Sequence, residues 1–134
     1  MAALSITAVR PTANTEIELA NYGATIAVGD MLYRGTDTEH LLADADLSVA
    51  AKAARAIALT PGVDGGQGVV ATGGNIILVG ATMTVGTTYF LGPAAGEIGP
   101  YSDLSTGDYV VRIGTAKTAT ELILSIEDTG VQVP

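Results

Sequence analysis

The chain has 134 residues and a mass of 13.5 kDa, which is the size of a single domain. Apolar residues make up 48% of it, but with one Phe, five Tyr and no Trp the core must be built from small aliphatic side chains. Each small side chain buries little area, and burial is worth about 25 cal/mol per Å². We therefore expect further apolar surface to be buried against copies of the chain or another protein.

Fourteen acidic residues against six basic ones give a net charge of −8. This charge repels the phosphates of nucleic acids and the headgroups of anionic membranes. No apolar run approaches the roughly 20 residues that span a bilayer, and no secretory leader is visible at the N-terminus. The absence of cysteine excludes disulfides, thiol nucleophiles and cysteine metal sites. The sequence thus predicts no nucleic-acid partner, no membrane partner, and stability from packing and assembly.

Residues 1–15 form a polar, Thr- and Ala-rich segment in which Leu4, Ile6 and Val9 are spaced roughly as in a strand. We predict a flexible N-terminal arm here, able to add a strand to a neighbouring protein or subunit. Residues 16–134 are predicted to form a single all-β domain.

From residue 16 onward, short apolar runs alternate with Gly, Asp, Asn and Pro about every ten residues, which is typical of a compact β-sandwich or barrel of short antiparallel strands. The pair Gly73-Gly74 predicts a tight hairpin turn. At most one short helix is expected, near residues 46–54, where alanines follow a capping Asp46 or Ser48. The predicted strands are Ile17–Leu19, Ile26–Tyr33, Arg55–Leu59, Gly68–Thr72, Asn75–Val79, Tyr89–Leu91, Tyr109–Ile113 and Leu122–Ile126.

A weak internal repeat relates residues 25–72 to residues 82–128 through a shift of 57 positions. Two copies are too few for a stacked solenoid, so the repeat predicts a pseudo-duplicated β domain. Arg55 and Arg112 occupy equivalent positions in the two copies. They are either solvent-facing residues of alternating strands or partners for carboxylates of a neighbouring subunit.

Candidate chemistry is sparse. His40 lies in the acidic stretch 37–46, which is best interpreted as a solvated loop, with a weak cation site as the alternative, because the spacing of an EF-hand is absent. The glycines of residues 62–68 lack the Lys and the helix that phosphate loops require. No nucleophile elbow is present, although two carboxylates that meet in space could still serve glycoside hydrolysis. We predict no enzyme activity, no cofactor and no metal.

In the second half of the chain, glycines separate short predicted strands at similar intervals, and the first half has a similar spacing. With this spacing, the chain over roughly residues 20 to 130 resembles a family of small tailed-phage virion proteins that decorate or cement the capsid shell. Related modules occur in phage fibres. The resemblance implies an all-β subunit, commonly a homotrimer, outside the capsid and bridging major capsid proteins, with no catalytic residues. The segments that carry it are Val28–Tyr33, Ala56–Leu59, Thr82–Gly92, Ala94–Pro100, Asp103–Tyr109, Ile113–Ala116 and Leu122–Ile126.

The predicted function is therefore that of a phage head decoration protein, made in the host cytoplasm and located on the virion exterior. The alternative is a fibre or tail-associated receptor-binding module, whose sign would be an exposed aromatic cluster of Tyr89, Phe90, Tyr101 and Tyr109. The residues predicted to contact the major capsid protein or a sister subunit are Leu4, Ile6, Val9, Arg55, Tyr89, Phe90 and Arg112.

Overall fold

The computed structural model describes residues 4–35, 39–44, 54–92 and 94–134. These residues form ten strands of one curled antiparallel sheet and a single 3-10 turn, Tyr101–Asp103, which confirms the predicted all-β class. The predicted helix near 46–54 falls almost entirely on residues 45–53, outside the described ones. The strands are β1 (Ala8–Pro11), β2 (Glu16–Asn21), β3 (Met31–Arg34), β4 (His40–Leu42), β5 (Ala54–Ala58), β6 (Gln67–Val79), β7 (Thr88–Leu91), β8 (Ile98–Gly99), β9 (Tyr109–Ala116) and β10 (Glu121–Gln132).

The strand order is β4-β3-β5-β6-β10-β9-β7-β8, with β1 and β2 both paired to β6. The order is symmetric about the central pair of β6 and β10. Moving outward from this pair, β5, β3 and β4 follow β6 on one side, and β9, β7 and β8 follow β10 on the other. Each strand of the first set thus has a counterpart four strands later in the chain. Some neighbours are consecutive in the chain, such as β3 and β4, β7 and β8, and β9 and β10, but β6 pairs with β1, β2 and β10, which lie far from it in the sequence.

The predicted hairpin turn at Gly73-Gly74 is wrong, because the chain continues through this pair as one long strand, β6. Both glycines lie inside β6, where Gly74 has a φ of +83° and the pairing with β2 shifts register between Gly73 and Ala71. Such a bulge bends a strand without ending it. The N-terminal half of β6 pairs with β2 and β5 and its C-terminal half with β1 and β10, so partners on both sides hold the two halves in one strand.

The main core lies on the concave face of the curled sheet and draws on nearly every strand. Its side chains are mostly aliphatic, as the composition predicts, and pack at close to zero exposure. Leu122 and Leu124 of β10 point into it from alternate positions. The members of the main core are Val9, Met31, Ala43, Ile57, Ala71, Ile76, Leu78, Ala81, Met83, Tyr89, Leu91, Ile98, Val111, Ile113, Ala116, Leu122 and Leu124.

A smaller core occupies the opposite face of strands β2 to β6. The sheet curls there until His40 of β4 forms an isolated bridge with Tyr22, just beyond β2, and the Gly23 N–H donates to the His40 carbonyl at 2.9 Å. Small alanine side chains leave room for this tight curl around the Tyr22 ring. The members of the smaller core are Ala20, Tyr22, Ile26, Leu32, Ala56, Ala58 and Val70.

The N-terminal segment, predicted to be a flexible arm, joins the sheet in the structure, where Ala8–Pro11 form β1 and pair with β6. The Leu4 N–H donates to the Ile98 carbonyl and the Thr7 N–H to the Val79 carbonyl, both at 2.8 Å. Val9, on β1, is buried in the main core. One side of β1 is therefore paired with β6 of its own chain.

Candidate functional site

The strand β2 lies at an edge of the sheet. Leu19 pairs with Val69 in the register. The Val69 carbonyl accepts hydrogen bonds from the N–H groups of Leu59 and Thr60, which follow β5 on the other side of β6. In an antiparallel ladder such a pair exchanges no hydrogen bonds, so Leu19, and Ile17 two residues before it, direct their backbone groups away from β6. Within the described residues, the free side of this segment meets another strand only at its end, through the Tyr22–His40 bridge.

Two large apolar side chains stand on this edge. Ile17 is 49% exposed and Leu19 is 80% exposed, and both lie on the face that carries the main core. The alternation Glu16-Ile17-Glu18-Leu19 would ordinarily place the apolar pair inside, but here Ala20 is buried instead. Unpaired backbone groups beside exposed apolar side chains make a template for another strand. We call Ile17, Leu19 and their free backbone groups the β2 edge.

Sequence reasoning missed the β2 edge. It recognised a strand at Ile17–Leu19, but a single alternating strand carries no signal of whether its apolar face meets the core. That depends on how far the neighbouring strands extend over it, which is a property of the assembled sheet.

On the other face of β2, Glu18 takes part in a small polar cluster. Arg55 lies 3.1 Å from one Glu18 carboxylate oxygen and 3.3 Å from the other, and its second terminal nitrogen lies 2.8 Å from Nε2 of His40. Arg55 thus has its carboxylate partner within the chain. His40 is buried in β4, so the interpretation of residues 37–46 as one solvated loop is wrong at this position, while residues 37–38 and 45–46 lie outside the described ones.

The Arg55 contact defines the protonation state of His40. A guanidinium only donates, so Nε2 must accept and the neutral imidazole carries its proton on Nδ1. Burial lowers the pKa of His40, and the positive charges of Arg55 and Arg34 lower it further, while a hydrogen bond with the Asn21 backbone and the Glu18 charge partly oppose them. The cluster therefore favours an uncharged His40.

We expect this preference to make the fold less stable in mild acid. As the pH falls through the ordinary histidine value of 6.5, the unfolded chain gains a proton that the folded chain does not yet bind. The free energy of unfolding therefore falls from about pH 6.5 down to the lowered pKa of the folded state, and this contribution is fully present above that range. Urea unfolding at a series of pH values between 8 and 5 measures it.

The matched variant is His40→Gln, whose side-chain oxygen can still accept the Arg55 hydrogen bond. The chain has one histidine, so the stability difference between wild type and variant isolates its titration from that of the carboxylates. This difference should change with pH across the range. Parallel pH profiles for the two proteins would contradict the assignment of a neutral His40.

The predicted aromatic cluster does not assemble as a unit. Tyr89 is buried in the main core, and its hydroxyl accepts a hydrogen bond from the Thr84 N–H at 3.0 Å. Tyr109 is half-buried against the same core. Phe90 and Tyr101 do meet, edge to face, with ring centroids 5.6 Å apart, and Tyr101 is 47% exposed. Of the four rings, Tyr101 is exposed, Phe90 and Tyr109 are partly buried, and Tyr89 is buried.

The structure brings some of the predicted interface residues together. Phe90 and Arg112 stand opposite each other on β7 and β9, and Arg112 forms an ion pair with Glu127 of β10. Arg55 lies apart from them, separated in the strand order by β6 and β10. Both arginines therefore have intrachain carboxylate partners.

Leu4 and Ile6 meet in a shallow hollow beside Asp30 and Glu97. Burial raises the pKa of Asp30, the Ala27 N–H that donates to its carboxylate at 2.9 Å opposes this, and the Glu97 charge adds to it. Two carboxylates alone make a poor cation site. Within residues 4–35, 39–44, 54–92 and 94–134, no group of three or more potential metal ligands is found.

Comparison with family models and with curated proteins does not identify a relative. No protein family matches the sequence, and no curated protein matches it either. In the part of the chain that the structure describes, no helix has the length and apolar character needed to cross a membrane. Function must therefore be inferred from the geometry of the site.

Proposed function

We propose that this protein is a phage head decoration protein that binds the outside of the capsid lattice and stabilises it by bridging major capsid proteins. The β2 edge carries the proposal. An extended segment of a shell protein can add a strand there, with main-chain hydrogen bonds supplying affinity and the neighbouring side chains supplying specificity. Leu19, 80% exposed, and Ile17 would then become buried between the two proteins.

The β2 edge replaces the N-terminal arm as the docking element. Val9 of β1 is buried in the main core, whereas Ile17 and Leu19 of β2 are exposed, so β2 is the better acceptor for an apolar partner strand. Binding to the closed lattice alone stabilises that lattice by mass action, by RT ln(1 + [L]/Kd) for each site. No catalytic group is needed for this role.

The test is sedimentation of purified protein with undecorated phage heads. Wild type should pellet with the heads at a stoichiometry that the lattice determines. Leu19→Lys should bind at least about tenfold more weakly, because the lysine charge would lose its water where the Leu19 side chain is buried against the shell protein. Val85→Lys is the matched control, since Val85 is 65% exposed in a turn away from β2.

Two outcomes would contradict the proposal. One is that wild type leaves the heads bare and binds cells or glycans instead, which is the behaviour of a fibre or tail-associated receptor-binding module. The other is that folded Leu19→Lys pellets with the heads as well as wild type does, which would move the contact away from the β2 edge.

We further propose that the protein forms a homotrimer. Because its core consists mostly of small side chains, we expect additional apolar surface to be buried between subunits. Besides Ile17 and Leu19, Val63 and Val131 are exposed, at 64% and 56%. Size-exclusion chromatography with light scattering should give three times the 13.5 kDa chain mass. A single-chain mass at high concentration would contradict the trimer while leaving lattice docking to the sedimentation test.

A further inference from the structure

An open hollow lies on the outer face of β7, β9 and β10, away from the β2 edge. It has a volume of about 330 Å³, within the range of small-molecule sites. Hydroxyl groups and one ion pair make up most of its wall. The lining residues are Thr88, Arg112, Gly114, Thr115, Ser125, Ile126 and Glu127.

The hollow exists because the sheet is irregular at this point. Two residues of β10, Ser125 and Ile126, lie opposite the single residue Ile113 of β9. The register between β7 and β9 also shifts, between Tyr89 and Phe90. Gly114 contributes no side chain, and a Cβ there would overlap the backbone carbonyl of Ile123. Bulges and a strand glycine are features that often accompany a site where a ligand approaches the backbone.

The chemistry of the wall favours a neutral polar ligand. Arg112 is paired with Glu127, so the hollow presents both a cationic and an anionic group but no net charge from them. Thr88 and Thr115 face each other with their hydroxyl oxygens 3.2 Å apart, and such hydroxyls both donate and accept. A free anion or cation would meet one unfavourable partner here, whereas a ligand with several hydroxyl groups can bond to all of them.

An aromatic surface adjoins the polar wall. Phe90 lies two residues from Thr88 along β7 and opposite Arg112 in the register, and Tyr101 packs against it edge to face. An aromatic ring offers an apolar face to the C–H groups of a ligand, and the tyrosine adds a hydroxyl. Adjacent polar and aromatic surfaces match a sugar ring, which has hydroxyls around its rim and C–H groups on its faces.

We propose that this hollow is a binding site for a neutral saccharide. Arg112, Glu127, Thr115 and Ser125 would hydrogen-bond to its hydroxyls, and Tyr101, packed on the partly buried Phe90, would contact one edge of the ring. The site involves β7, β9 and β10 only. It therefore does not depend on lattice docking through β2, and either property can fail without the other.

The test is an NMR titration of the full chain, uniformly labelled with 15N, with neutral hexose and N-acetylhexosamine mono- and disaccharides. At least one sugar should give saturable shifts at residues 112–115 and 125–127, with a Kd of about 1 mM or lower. Thr115→Val should weaken that binding about fivefold through loss of one hydroxyl contact, and Ser125→Ala should do the same. Thr82→Val, at an exposed position outside the hollow, should bind like wild type.

The amide spectra also report whether each variant is folded, so a loss of binding can be separated from a loss of structure. The proposal is overturned if no sugar gives saturable shifts, if the shifts lie elsewhere on the surface, or if folded Thr115→Val and Ser125→Ala both bind like wild type. A parallel titration with inorganic phosphate should give weaker binding than the best sugar, and tighter binding of phosphate would overturn the neutral ligand class.

Discussion

Replacing Tyr22 by alanine is expected to lower the free energy of unfolding by about 4 kcal/mol. The Tyr22 side chain is fully buried in the smaller core and is its largest member. Gly62 and Gly68 pack directly against its ring, so closely that a Cβ at either position would overlap it. Because these neighbours have no side chains with which to fill the space, truncation should leave an open cavity. Urea unfolding followed by circular dichroism measures the loss.

Tyr22→Phe is the matched control because it keeps the ring and removes only the hydroxyl. That hydroxyl donates to the Thr60 carbonyl at 2.8 Å, and its loss should cost about 1 kcal/mol. If the alanine and phenylalanine variants were equally stable, the ring would not be filling the space that the structure assigns to it.

A second large effect is expected at Gly74, where alanine should cost at least about 3 kcal/mol or prevent folding. A positive φ is unfavourable for alanine, and at Gly74 the added Cβ would also overlap the backbone carbonyl of Asn14. Relief of that overlap would require residues 12–15 to move off β6. The stability of each folded variant can be measured by the same urea titration.

Gly65→Ala separates the two causes. Gly65 has a φ of +86°, almost the same as Gly74, but nothing lies within 4 Å of a Cβ placed there. Alanine at Gly65 should therefore cost only the conformational penalty, about 1–2 kcal/mol. Equal losses at the two glycines would show that the close approach of Asn14 contributes nothing.

Local patterns in the chain were sufficient to predict the all-β class. Short apolar runs broken by glycine and proline are incompatible with long helices, and the alternation of Leu122 and Leu124 matches the side chains of β10 that face the core. These features depend on the backbone geometry of neighbouring residues, and the sequence contains that information directly.

Local patterns could not show where a strand ends when both of its halves find partners. Gly73-Gly74 has the composition of a hairpin turn, yet it forms a bulge within β6, because β1 and β10 hold one half of the strand while β2 and β5 hold the other. The same limitation applies to the N-terminal segment, whose order comes from contacts with β6 and Ile98, far along the chain.

The candidate sites depend even more on long-range contacts. Arg55 and Arg112 were identified from their equivalent positions in the repeat, but their partners, Glu18 and Glu127, became known only from the pairing of the strands. Ile17 and Leu19 follow the pattern of a buried face, and they are exposed because no described strand covers that edge. Composition and alternation determine which segments become strands, whereas exposure and charge pairing depend on which strands become neighbours, and that is decided by the free energy of the whole packed sheet.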